Sequence, residues 1–115
     1  MRGCEVWDLV KVPFPYTNRP VHQRRPALVV AVPDASGTPD LLWVLMVTSA
    51  DDRGWPGDVA VSDLNAAGLP AASIVRSAKI ATIEARDTER IGSLPPQDRP
   101  QSIKGLRGNL APALQ

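Results

Sequence analysis

The chain predicts a mainly β fold of short strands, and three observations predict it. Twelve prolines and eight glycines divide the 115 residues into short segments, a density of turn formers that suits an all-β domain rather than a helical bundle. Between them lie near-continuous aliphatic runs, ALVV at 27–30 and LLWVLMV at 41–47, the pattern of strands covered on both faces. Helical spacing is confined to one brief stretch near the middle and to the tail.

Taken in order, residues 6–12 (VWDLVKV) predict a first strand, stopped by Pro13 and Pro15, neither of which can donate to a ladder. Residues 13–25 form a long loop that ends in Arg24 and Arg25. The runs 27–32 and 41–47 are joined by PDASGTPD, whose Gly, Pro and Asp residues form turns, so they pair as an antiparallel hairpin. Residues 59–61 are a short fourth strand. In SDLNAAGLP, Ser62 or Asp63 offers an N-cap while Gly68 and Pro70 are stop signals, giving a helix of one or two turns. Residues 74–76 and 80–84 are two β-rich pieces, and ERIGSL is a brief last strand. From about 97 to 110, Ile103, Leu106 and Leu110 stand at helical spacing and give one apolar stripe. Gly105 and Gly108 each cost about 1 kcal/mol against Ala inside a helix, so this helix depends on packing. No repeat or interdomain linker interrupts the chain, and residues 1–115 are expected to form one domain.

The net charge of +1 is too small to draw nucleic acid by the whole-protein field, so any such role rests on a local cluster. The single cysteine, Cys4, cannot form an internal disulfide and is expected to be an inert thiol in a reducing cytosol. No apolar stretch approaches 18 residues and no secretory leader is legible, so a soluble, cytoplasmic protein without membrane association is expected. Cys4 and His22 stand without clustered ligands, and there is neither a glycine-rich phosphate loop nor a G-x-S-x-G turn. No metal or cofactor is expected.

What remains is a set of cations and hydroxyls at strand ends. HQRRPALVV at 22–30 puts Arg24 and Arg25 immediately before an aliphatic strand, fixing a guanidinium at the mouth of a sheet, where an anion can be held. Arg19, His22, Arg24 and Arg25 share one loop, Thr48 and Ser49 end the run 41–47, and Arg76 with Lys79 flank the break between the later strands. In a small barrel these ends could converge on one face. Composition and spacing alone favour a plainer account, of charged loops and a strand running into a turn.

Seven short motifs in order carry a resemblance: DLVKVPFPYT (8–17), RRPALVV (24–30), VTS (47–49), WPGDVAV (55–61), AAGLPAASIVR (66–76), KIATI (79–83) and IGSL (91–94). Along nearly its whole length the chain resembles the MazF/PemK (Kid-like) toxins of bacterial toxin–antitoxin pairs. Each motif is weak alone, and their order makes the resemblance. It implies an SH3-like β-barrel of the MazF/PemK/CcdB kind with short helices and a C-terminal helix, usually a homodimer. It also implies a sequence-specific, metal-independent endoribonuclease acting on single-stranded RNA and blocked by an antitoxin.

Carried over by position, the family's Arg-Pro arginine falls on Arg25 and its strand-end threonine on Thr48, the two expected catalytic residues. Arg24, Ser49, Arg76, Lys79 and His22 are the expected substrate-binding residues. Attack of a ribose 2′-OH on its neighbouring phosphate gathers negative charge, which a bidentate guanidinium and a hydroxyl donor stabilise without metal. Thr48 would hydrogen-bond or orient the scissile phosphate. A guanidinium is permanently cationic at neutral pH, so Arg25 is read as an electrostatic stabiliser and the proton acceptor stays unidentified. DNA, which lacks the 2′-OH, should resist.

The chain also departs from the family. Some members use an acidic residue two positions after the arginine equivalent to Arg76; here that position is Ala78, and the role does not transfer. Some use a loop histidine, but His22 lies closer to the Arg-Pro pair than that residue does and is otherwise a solvated loop residue. Arg76 is available to phosphate or to a nearby acid such as Asp58 or Glu84. Trp7 and Trp43 are expected in the core or a dimer interface, whereas Trp55 either stacks on an unpaired base or anchors its loop. Arg19, Arg24 and Arg25 offer an acidic antitoxin segment something to pair with. A gyrase-binding poison of the CcdB type, or an inactive member that binds only antitoxin or RNA, stays open; the Arg25/Thr48 pair favours the ribonuclease.

Overall fold

Side chains on a strand alternate between the two faces of its sheet, and here that alternation sorts the apolar residues into two layers. The computed structural model describes residues 4–13, 24–34, 37, 40–52 and 54–115. Its strands are β1 (Asp8–Pro13), β2 (Arg24–Ala31), β3 (Leu41–Ser49), β4 (Val59–Ala60), β5 (Ser73–Glu84) and β6 (Glu89–Ser93). They form one antiparallel sheet in the order β4-β5-β3-β2-β1-β6, curled into a half-barrel. Leu9, Leu28, Leu45, Val47 and Val75 face one way, where Ala67, Leu69 and Leu94 cover them. Val10, Val12, Ala27, Val29, Val44, Met46 and Ala81 face the other. Burial on both sides is why 27–30 and 41–47 read as continuous apolar runs.

The expected hairpin is β2–β3, with Ala27 opposite Met46 and Leu28 opposite Leu45. Arg24 and Arg25 open β2 instead of closing the preceding loop; residues 14–23 of that loop lie outside the described residues. The two expected β pieces at 74–76 and 80–84 are a single strand. β3 pairs Leu45 with Ile80 and the next residue, Met46, with Arg76, so Ser77, Ala78 and Lys79 bulge out without counterparts. A bulge bends a strand and re-aims its side chains.

The short helix α1 (Leu64–Ala67) uses Asp63, not Ser62, as its cap: the carboxylate accepts from the Ala66 N–H at 3.1 Å. Gly68 ends it at φ 73°, a conformation in which a Cβ is penalised. Ser62 instead donates through its N–H and hydroxyl to buried Asp98, at 2.8 and 3.0 Å.

The tail forms α2 (Arg99–Leu110) after a 3₁₀ turn at Pro96–Asp98. Only part of its expected stripe is used. Leu106 packs on the first layer, Ile103 is half-buried and Leu110 is exposed. The buried α2 residue is Ser102, whose hydroxyl donates to the Asp98 carbonyl at 3.0 Å. α2 crosses the β5 bulge, where Asn109 Nδ2 donates to the Ser77 carbonyl at 3.1 Å. A Cβ on Gly105 would meet Ser77 Oγ at 2.6 Å, so the residue that weakens the helix is the one that lets it approach.

Of the two tryptophans expected inside strands, only Trp43 lies in one. Trp7 precedes β1 at φ 79°. Its N–H donates to the Val29 carbonyl and its carbonyl accepts from the Leu94 N–H, both at 2.8 Å, and its ring packs at the margin of the first layer. Trp43 lies in β3 but is 44% exposed, beside Ile80 at 46%. Among the described residues no helix is long and apolar enough to cross a membrane.

Candidate functional site

The alternation that builds the second layer continues past its apolar end into polar residues. Arg25 follows the face of Ala27 and Val29, Thr48 that of Val44 and Met46, and Lys79 that of Ala81 and Ile83. Continuing the β2–β3 register by two residues brings Arg25 across from Thr48. The β5 bulge lets both Arg76 and Lys79 reach the same place. The result is a cavity of about 180 Å³ lined by Arg25, Met46, Val47, Thr48, Asp52, Arg76 and Lys79. A larger groove, about 580 Å³, shares Arg25, Val47 and Thr48 with it and runs past Lys11, Arg24 and Ser49 to Asn65 and the segment 68–73. Arg25 and Thr48 therefore stand where the two concavities meet, and the strand ends do converge on one face.

The other expected residues divide. Arg24 is exposed, 3.8 Å from Glu89 Oε2 on β6, an ion pair worth little in water. Ser49 serves its own turn, its Oγ accepting from the Asp51 N–H at 3.2 Å. His22 and Arg19 lie outside the described residues. Arg76 takes the second of its two expected roles. Its Nε and Nη2 donate to the two carboxylate oxygens of Asp58 at 3.2 and 3.0 Å, while Glu84 pairs with Arg86. The Arg76 guanidinium also lies 4.0 Å from the centre of the Trp55 ring, and the Trp55 N–H donates to Asp58 at 2.8 Å. Trp55 and Asp58 thus bracket a buried guanidinium that lines the cavity, an arrangement that favours the loop-anchor role although the ring stays 43% exposed.

Burial by itself would raise the Asp58 carboxyl, but hydrogen bonds from Arg76 and the Trp55 N–H, with the attraction of the guanidinium, hold it below its ordinary value. Arg76 is raised in turn, first by its hydrogen bond to Asp58. A carboxyl depressed in the folded state contributes stability above its unfolded value and loses it as pH falls through the folded one. The stability gap between the wild type and Asp58→Asn is therefore expected to be widest at neutral pH and to narrow below about pH 4. Urea unfolding at a series of pH values checks this, and a gap independent of pH would contradict it.

Sequence reasoning missed Asp52. The Thr48 hydroxyl donates to Asp52 Oδ2, and the Asp52 N–H donates to the Ser49 carbonyl at 3.0 Å, closing a turn at the end of β3. The available signal was the acid four residues beyond Thr48 in TSADD, since a chain that reverses at a strand end can bring residues four apart side by side. Among the described residues no group of three or more His, Cys, Asp or Glu gathers to hold a metal.

Comparison with known proteins gives the same answer for the fold. MazF from Deinococcus radiodurans superposes with a TM-score of 0.72 at 19% identity, over 96% of this chain and 99% of that one. An endoribonuclease in complex with its cognate antitoxin, from a mycobacterial species, superposes at 0.69 with 16% identity, over 92% and 93% of the two chains. The Mycobacterium tuberculosis toxin MazF-mt6 superposes at 0.62 with 23% identity, over 79% and 90%. At these identities the likeness is one of fold. No curated protein sequence matches the chain. The family model for PemK-like, MazF-like toxins of type II toxin–antitoxin systems matches residues 5–107. With that match over nearly the whole chain and the fold it leads one to expect, the protein belongs to the PemK-like, MazF-like toxin family.

Proposed function

We propose that this toxin is a sequence-specific endoribonuclease that cleaves single-stranded RNA through attack of a ribose 2′-OH on the adjacent phosphate. The observation that carries the reading is the meeting of Arg25 and Thr48 at one end of the sheet, with Lys79 and Arg76 behind them. The exposed Arg25 guanidinium grips phosphate oxygens by paired N–H bonds, and its charge, with that of Lys79, stabilises the phosphorane. These cations supply the charge that a metal would otherwise bring. A relative of the same fold is an endoribonuclease held by its antitoxin, which supports both the activity and the partner. The antitoxin of this chain lays an acidic segment along the larger groove, against Arg24 and Arg25, and so competes with RNA. Exposed Trp43 and Ile80 support pairing with a second copy, each copy being one domain and acting in the cytoplasm.

The test incubates the purified protein with a long single-stranded RNA in excess EDTA and maps the new ends. Discrete cuts leaving 2′,3′-cyclic phosphate and 5′-OH are expected, with none in DNA of the same sequence and none once antitoxin is added. On the same preparation, sedimentation should give twice the chain mass. Intact RNA across several diverse sequences would end the ribonuclease reading.

A further inference from the structure

The ribonuclease reading leaves one position in the reaction without an occupant, the acceptor of the 2′-OH proton. A threonine hydroxyl has one proton to give and two lone pairs to receive with. Here that proton goes to Asp52 Oδ2. With its proton committed, Thr48 meets an RNA strand as an acceptor. Phosphate oxygens have no proton to offer it, whereas the 2′-OH does. Around the cavity, Arg25 comes from β2, and Arg76 and Lys79 from β5; all three are cations and none can take up a proton. Asp52 is the one carboxylate among the described residues that line it. Ala78 supplies no carboxylate from β5, and Asp52 comes instead from the turn that follows β3.

We infer that Asp52 is the proton-accepting partner of Thr48, drawing the 2′-OH proton through the threonine hydroxyl. The inference rests on the ribonuclease reading and completes it. In the step, the O2′–P bond forms and the P–O5′ bond breaks. The 2′ proton passes to Thr48 Oγ1 as the proton of Thr48 passes to Asp52; the departing O5′ takes a proton from water, and Asp52 later returns its own to solvent. The charges move favourably. A carboxylate beside a phosphate opposes binding in the ground state, but on taking the proton it becomes neutral just as the phosphorane gains charge. The attraction of Arg25 and Lys79 then turns wholly to the transition state, the differential that accelerates a reaction.

Asp52→Asn is the decisive variant. It keeps an oxygen to receive the Thr48 hydrogen bond but cannot hold a proton, and the side chain is exposed, so the fold is undisturbed. We expect kcat to fall about 100-fold or more, while affinity for RNA carrying a 2′-deoxy sugar at the cut site stays level or tightens. With a 5′-thiolate leaving group, which departs without protonation, the deficit should persist. In the Thr48→Ala/Asp52→Asn double variant, loss should be no greater than in the worse single one, because the two act as a unit. An Asn variant as fast as wild type or faster overturns the inference and makes the carboxylate a stand-in for phosphate. Erasure of the deficit by the thiolate also overturns it, moving Asp52 to the leaving-group side, as does a double variant showing the full product of two independent losses. A wild type that cuts no RNA takes down the ribonuclease reading as well, which separates the two failures.

Discussion

Arg25→Ala is expected to lower kcat for RNA cleavage about 10³-fold, the loss typical of removing one preorganised donor from a developing oxyanion and equal to about 4 kcal/mol of transition-state stabilisation. Arg25 is exposed at the first residues of β2, so its truncation should change the unfolding free energy by no more than about 0.5 kcal/mol. Activity and stability therefore separate in this variant. Arg25→Lys should recover only a small part of the rate, because an ammonium keeps the charge but loses the planar fork that holds two phosphate oxygens at once. Steady-state kinetics on one cut site, beside urea unfolding of the same samples, measures both. A variant within tenfold of wild type would mean that the guanidinium at the strand end is not what stabilises the reacting phosphate.

Gly92→Ala is expected to do the reverse, leaving every site residue in place and removing the fold beneath it. A Cβ at Gly92 would lie 2.3 Å from the Ala67 carbonyl carbon and 2.4 Å from its oxygen, with the Ala66 oxygen at 2.6 Å. These are backbone atoms at the end of α1, and no rotamer change relieves them. α1 must then leave β6, taking Ala67 and Leu69 out of the first layer. Overpacking of this kind costs about 3 kcal/mol or more, a large share of the roughly 5–15 kcal/mol that holds a domain folded. Gly108→Ala is the control: a Cβ there meets nothing within 4 Å, and the helix gains about 1 kcal/mol in propensity. Urea midpoints should move in opposite directions for the two. An unchanged midpoint for Gly92→Ala would show that α1 can yield without cost. The wall of the larger groove formed by Leu64, Asn65 and Ile91 depends on the same contact.

The sequence by itself determined the features that act over a few residues. Turn formers and apolar runs marked the strands, Asp63 or its neighbour and Gly68 marked the ends of α1, and Arg25 and Thr48 were legible among the polar residues that bound two such runs. Only the tertiary structure decided what depends on register. That Arg25 faces Thr48 follows from Ala27 lying opposite Met46, and slipping that pairing by one residue would turn every side chain of β2 to the other face. The β5 bulge, the Arg76–Asp58 pair eighteen residues apart, the Gly92–Ala67 contact and the exposure of Trp43 are likewise settled between segments distant in the chain. Alternation and capping are written locally because successive side chains follow the pleat of their own strand and a helix end is capped by residues within a turn of it. Register and close approach minimise the energy of the packed whole, and so Asp52, four residues from Thr48 and beside it only because the chain reverses there, came into view with the fold.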